Sequence, residues 1–452
     1  MKMPVTLLPT VRPRFTPGLL ALVGSLLLLV PTVRAADWAH WRGPNYNGST
    51  DETGLPDAWS KTENVAWAAP LPGSSAATPI IHGDHVFLAS TDEAHDTLLA
   101  LALDRQTGRE LWRRVVGEGM SRDRMSNYAA CSPVTDGTRV IFLYGNGKTV
   151  AYDFAGKELW ARDLCAEYGE FAFNWTYAAS PLLDGGRLIY QVLQRDVPVN
   201  GRGRSGAPIE SYLLAVDPAT GKNLWKQVRP SDAVAESREG FTSPIPFSGA
   251  GREEILVVGG DCLTGHDAAT GAELWRWGTW NPRRIGHWRL VPSPVAGGGV
   301  ILACAPKREP IFAIKAGAKG NLEVSDAAWT TEDNRDLTSD VPTPLFYQGD
   351  FFILNDLGKR LARVDPATGK PKWIVPTPGR AKYEASPTGA DGRIFLMNFA
   401  GEVVTVNPED GTILQVIPMG EERDDRTRSS IAIAHGRIFI RTNSHLYCVA
   451  QP

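Results

Sequence analysis

Cysteine is scarce and scattered. The five in this 452-residue chain (Cys131, Cys165, Cys262, Cys304 and Cys448) include no adjacent pair and no Cys-x-x-Cys, which excludes a metal knuckle and a covalent haem attachment site. Buried free thiols are the plain reading, and one Cys131–Cys165 disulfide is the alternative for a chain that meets an oxidising compartment. An excess of one charge is lacking too. The formal charge of −3 leaves no basic surplus for a nucleic-acid partner. No window repeats apolar residues with the 3.6-residue period of a long amphipathic helix. No apolar run reaches the roughly 20 residues that cross a bilayer as a helix. The longest, GLLALVGSLLLLVPTV, is broken by Pro31. Lys2, Arg12 and Arg14 precede it and VRAAD follows, so residues 1–35 read as an export signal cut after Ala35, with Val33 and Ala35 as the small pair that a signal peptidase prefers. No cysteine lies near the cut, so a lipid anchor is not expected. The expected product is a soluble, monomeric, periplasmic or extracellular protein without an integral membrane span.

What is present is repetition. About 415 residues remain after the signal, too many for one core of roughly 100–200 residues unless the chain is an array. A Ser-Pro or Thr-Pro step followed by an apolar stretch recurs at Pro79, Pro133, Pro181, Pro244, Pro294, Pro344 and Pro387, and SSIAIA at 429 reads as a degenerate eighth. That spacing suits propeller blades of about 40–50 residues. Within each unit, alternation of apolar and polar residues predicts about four strands.

A second marker closes each unit. VDPATGKNLW ends at Trp225, and related turns lead to Trp112, Trp275 and Trp373. The Asp caps its own turn, Pro suits the second position, and Gly accepts the left-handed conformation that closes the hairpin. Trp112, Trp160, Trp225, Trp275, Trp329 and Trp373 fall at one place on the outer strand, where a ring can wedge between blades and donate its N–H to neighbouring backbone. The last unit stops at SHLYCVAQP with no turn and no Trp strand. WSKTENVAWAAPLPG, residues 59–73, supplies the missing outer strand with Trp67 at the repeat position, which removes an exposed edge. The expectation is an all-β, eight-bladed propeller over residues 59–452, preceded by a leader at 36–58.

The units of the form AVDPATGKNLW with Ser/Thr-Pro openings resemble the pyrroloquinoline quinone (PQQ) repeat family over essentially all of residues 59–452, and the leader DWAHWRGPNYNGST resembles that of exported propellers of this kind. The resemblance implies an eight-bladed propeller and two kinds of activity: quinone- and calcium-dependent alcohol dehydrogenases, and the non-catalytic BamB-type scaffold of outer-membrane protein assembly. The dehydrogenase branch carries an adjacent Cys-Cys pair, a set of calcium ligands and a catalytic Asp. The pair is absent and the remainder has no matching positions here, although Trp175 or Trp288 could act as a stacking floor for the quinone. No cofactor is expected, with PQQ and calcium as the alternative. The BamB branch carries an anchoring cysteine that this chain lacks.

The loops before each Ser/Thr-Pro are longer and more varied than the turns opposite. They are expected to rim the central channel with Asn127, Tyr128, Asn174, Trp175, Tyr177, Arg238, Glu239, His287, Trp288, Asp340, Lys382, Tyr383 and Glu384, a mixture of aromatic and hydrogen-bonding groups that suits a protein, peptide or polar ligand. His287 has no second metal ligand at useful spacing. An insertion at 194–212 falls on the same face, with Arg202 and Arg204 available to an acidic partner and a Gly content that predicts mobility. The sequence therefore points to a binding or scaffold module, with a quinone oxidoreductase and a BamB-like assembly factor as alternatives.

Overall fold

The computed structural model describes residues 36–451 apart from 122, 250 and 423, together with seven of the first ten positions. The expected signal cut and the apolar run before it lie outside the described residues. The chain divides into Met1–Arg34 and Ala35–Pro452, and the second unit is the propeller.

Eight sheets follow one another along the chain. Blade 1 covers 80–118, blade 2 134–163, blade 3 182–228, blade 4 245–278, blade 5 295–330, blade 6 345–376, blade 7 388–418 and blade 8 432–449. Helix is confined to Leu164–Tyr168 and three short 3-10 turns among the described residues. Blade 8 is completed by Val65–Pro70, which pairs antiparallel with its last strand in the register Trp67 with Cys448 and Pro70 with His445. The expected closure by an N-terminal strand is observed.

The repeated turn behaves as its chemistry requires. In blade 3 the Asp217 carboxylate accepts from the amides of Ala219 (2.7 Å) and Thr220 (3.1 Å), and the Gly221 amide returns to the Asp217 carbonyl (2.8 Å). Gly221 has φ +69°, which suits a residue without Cβ. Close approach is a second reason for glycine. A Cβ on Gly108, Gly156, Gly221, Gly271, Gly369 or Gly411 would stand 2.5–3.0 Å from the ring of Trp67, Trp112, Trp160, Trp225, Trp329 or Trp373 of the preceding blade. Five of these rings also donate to a carbonyl of the turn they cover: Trp67 to Arg105, Trp112 to Phe154, Trp160 to Pro218, Trp329 to Pro366 and Trp373 to Pro408, at 2.7–3.0 Å.

Trp275 and Trp225 depart from the expected wedge-and-donate pattern. Trp275 donates to Glu254 Oε2 of its own blade (2.7 Å). Blade 5 has no Asp-x-x-Thr-Gly turn to receive it. Its insertion instead sends Gly320–Leu322 back as a fifth, parallel strand on the outer edge of blade 4, at Trp275–Trp277. Trp225 covers Gly271, but its indole nitrogen is buried without an acceptor. No disulfide joins Cys131 to Cys165. Both side chains lie in or against the hydrophobic cluster of blades 2 and 3.

The Ser/Thr-Pro marker also has a structural task. The hydroxyls of Ser132, Ser180, Ser243, Ser293, Thr343, Ser386 and Ser430 each accept the backbone N–H of the equivalent residue one blade earlier, from Thr78 onward, at 2.8–3.2 Å. Seven links thus run around the channel. The eighth junction, where the chain closes, is made differently: Ser429 Oγ donates to the Ala77 carbonyl (3.0 Å), and the fully buried Arg441 donates to the Ala89 carbonyl (2.8 Å). Proline follows each hydroxyl residue except Ser430, which Ile431 follows, and it has no N–H to leave unpaired on the innermost strand. Replacing Ser243 by Ala would strand the Ser180 amide in a buried position. The expected cost is about 1–3 kcal/mol in urea unfolding, against less than about 0.5 kcal/mol for the exposed control Ser248→Ala.

Candidate functional site

A cavity of about 500 Å³ occupies the channel. Its innermost wall is the ring of Ser/Thr hydroxyl residues, from Thr78 to Ser430. Two residues before each of these, the chain contributes a second ring. This is apolar on one side (Phe241, Val291, Val341) and charged on the other, where Arg428 Nε donates to Glu384 Oε2 at 2.7 Å. The offset of two follows from the extended backbone, in which alternate side chains share a face.

The leader seals one end of this channel. Trp38 exchanges both backbone hydrogen bonds with Ile81, the Thr135 amide donates to Ala39, Phe346 to Asn47 and Gly389 to Gly48, so the segment crosses the hairpins between the first and second strands. Arg42, 1% exposed, donates to the carbonyls of Pro344 and Pro387 (2.8 and 3.1 Å), the prolines of two blade openings. Trp41 lines the cavity beside it. Asp37 fastens the start of the leader across the closing seam, between His82 of blade 1 and His435 of blade 8, each at 2.8 Å. Burial alone would raise the Asp37 carboxyl, but hydrogen bonds from both histidines and the Gly83 amide hold it well below the usual range. The cavity therefore opens on the face that carries the varied loops.

Of the residues expected at the rim, Trp175, His287 and Glu384 line the cavity. Trp175 Nε1 donates to Glu236 Oε1 (3.1 Å), and His287 is exposed. Lys382 is exposed on the same face, 4.0 Å from Glu384. Asn127 caps the turn Tyr128–Ala130 and donates to the Ser74 carbonyl (2.9 Å), while Tyr128 faces a side pocket with Gly145 and Cys165. Asn174 joins the Glu239 carboxylate through its amide and the insertion through Asn200. Arg238 turns back to the Ala233 carbonyl (2.7 Å).

Five of the expected rim residues are buried instead. Tyr383 is fully buried with its hydroxyl on the Pro378 carbonyl (2.7 Å), and Tyr177 is bonded to the Gln191 carbonyl (2.8 Å). Trp288 is packed in the hydrophobic cluster of blades 4 and 5. Glu239 is fully buried; burial pushes its carboxyl up to about 7, against Arg195 at 2.6 Å and the Asn174 amide. Asp340 sits behind the wall, 3.9 Å from Arg289 and 3.7 Å from Lys307. Arg202, expected to be free for a partner, is instead paired with Asp123 (3.5 Å) and bonded to the Phe173 and Asn174 carbonyls, so it ties the insertion to its neighbours.

Sequence reasoning missed Trp41, Glu236, Arg289, Lys307 and Arg428, all of which line the cavity. A signal existed for Arg428, which precedes Ser430 by the same two positions that separate Glu384 from Ser386. The wall offers a thin donor set for a divalent cation. Glu236 and Glu384 are already hydrogen-bonded, the latter to Arg428, and Arg289 and Lys307 line the same cavity, whereas calcium takes six to eight oxygens. These residues do not fit a calcium–quinone pair.

In comparisons with solved structures, the chain resembles a europium-containing methanol dehydrogenase (TM-score 0.61, 11% identity, 85% of this chain and 86% of that one). It resembles the quinohemoprotein alcohol dehydrogenase of Comamonas testosteroni to the same degree (0.60, 14%, 92% and 81%). BamB from Moraxella catarrhalis is also similar (0.55, 12%, 86% and 97%). At such identities the likeness shows the fold alone. No curated protein matches the chain in sequence. The family described as outer membrane protein assembly factor BamB matches residues 49–202 and 209–451. With blades, closing strand and repeat turns accounted for, the chain belongs to this family of PQQ-type repeat propellers.

Proposed function

We propose that this protein is an exported, non-catalytic binding or scaffold module that receives a polar ligand, a peptide or a loop of a partner protein in the one-ended cavity of its loop-rich face. The observation that carries this reading is the cavity itself: one end is sealed by the leader, and the open end presents Trp175, Glu236, His287 and the Glu384–Arg428 pair around an apolar arc. An aromatic plane flanked by charged groups over an apolar wall binds by stacking and hydrogen bonding without needing a nucleophile or a metal. The thin donor set for calcium and the absence of adjacent cysteines support a non-catalytic role. The BamB family match supports a scaffold role without naming a partner.

Trp175→Ala and His287→Ala, made singly, are expected to weaken capture of the natural partner about tenfold, the size of one lost contact of about 1.4 kcal/mol. Their melting temperatures should stay within about 1 °C of the parent, since neither residue is in the core. Tyr383→Ala serves as the structural control and should lower the melting temperature. Stoichiometric uptake of added PQQ with calcium, accompanied by dye-linked alcohol oxidation, would replace this reading with the oxidoreductase one.

A further inference from the structure

Glu52 is a buried carboxylate with no counter-charge among the described residues. It is 5% exposed, and its two oxygens accept from the Ala36 backbone nitrogen (2.5 Å) and the Gly436 amide (2.6 Å). Among the described residues, no lysine, arginine or histidine forms an ion pair with it. Its acidic neighbour in the leader is differently placed: Asp37 holds His82, His435 and the Gly83 amide. A buried carboxylate without an opposite charge is costly, and two neutral amides compensate for it only in part.

The sequence offers one positive charge at the right atom. Val33 and Ala35 precede Ala36 as a small-x-small pair. Hydrolysis of the Ala35–Ala36 peptide bond consumes one water, leaves a carboxylate on Ala35 and frees the α-amine of Ala36. That amine takes up a proton at neutral pH, its ordinary pKa being about 7.7–8.0. The nitrogen so charged is the one already 2.5 Å from Glu52 Oε1.

We propose that the chain is processed between Ala35 and Ala36 by a peptidase that reads small residues, and that the new α-ammonium forms an ion pair with Glu52. The carboxylate also holds Gly436 in the first hairpin of blade 8. The pair therefore fastens the start of the leader to the blade that the N-terminal strand completes. The cut thus adds a charge to a seal that the uncut chain already makes, since there the nitrogen at the same place is a neutral amide. The position of the cut matters. A cut one residue later removes the nitrogen altogether, and one residue earlier moves the charge by about 3.8 Å along the chain.

The test starts from the full chain, exported in a Gram-negative host. Mass spectrometry of the purified protein should show Ala36 as the N-terminus. An acylating reagent at pH 7.5 should label that α-amine about sevenfold more slowly than in Glu52→Gln, since an ion pair that raises an amine pKa by about one unit from its ordinary value lowers the free-base fraction at this pH by about that factor. Insertion of one Gly between Ala35 and Ala36 provides a second variant that leaves Glu52 in place; its displaced amine should label at the rate of an exposed terminus. Hydrogen exchange across residues 36–58 should be faster in both variants than in the parent. A different N-terminus, or equal labelling rates in parent, Glu52→Gln and the Gly insertion, would overturn the proposal whatever the cavity binds.

Discussion

Deleting residues 36–70 from the mature protein is expected to abolish its cooperative folding, or at least to lower its urea midpoint far more than any point substitution. Three losses coincide. The last strand of blade 8, His445–Val449, loses its partner and becomes an open edge next to blade 1. The Trp67 ring leaves Gly108 and its hydrogen bond to Arg105, and a buried Trp truncated to Ala costs about 3–5 kcal/mol by itself. The Arg42 plug leaves the carbonyls of Pro344 and Pro387 without their donors. Deleting only residues 36–58 keeps the closing strand and removes the plug. It should produce the smaller part of the effect. The measurement is unfolding by urea followed by tryptophan fluorescence, with the oligomeric state read by size exclusion, because an open blade edge invites pairing between copies. A 36–70 deletion that unfolds at the parent's midpoint would mean that the closing strand contributes nothing to stability.

Gly221→Val is the second large effect expected. Two penalties add at this position. The backbone at φ +69° resists a β-branched residue, and the new side chain would meet the Trp160 ring, which lies 2.8 Å from the place of a Cβ. Together they should cost about 3–5 kcal/mol, comparable to losing a buried aromatic contact. Gly299 separates the two. It has φ +83° in a hairpin with nothing within 4 Å of a built Cβ, so Gly299→Val pays only the backbone strain of about 1–2 kcal/mol. Equal costs at the two positions would show that the tryptophan stack is not what makes the turn glycine necessary. Neither substitution touches the cavity, so partner capture by the folded fraction should be unchanged.

Local chemistry made much of the fold legible. The Asp-x-x-Thr-Gly turns, the period-two strands and the Ser/Thr-Pro steps each act over a few residues, and their count and order led to eight blades. The missing last strand pointed to Val65–Pro70. The site was harder. Trp175, His287 and Glu384 were found because they precede a Ser/Thr-Pro and the loops there are rich in such residues. The same rule also brought in Tyr177, Trp288 and Tyr383, which the structure buries. Irregular loops have no period, so nothing in their spacing says which side chain faces the channel and which turns inward.

By itself, the sequence determined the class of architecture, the closure, and the pairing of each turn glycine with left-handed backbone, because these depend on hydrogen bonds and sterics within a hairpin. Only the tertiary structure decided that the repeated hydroxyls join successive blades around the channel, that Trp275 abandons the wedge for Glu254, that the leader seals one end, and that Glu52 meets the nitrogen of Ala36. Each of the last three brings together groups that no local rule relates, and the hydroxyl ring needs all eight blades in place. Such contacts form only once the chain has closed on itself, when the distance between blades, rather than the distance along the sequence, sets which atoms can bond.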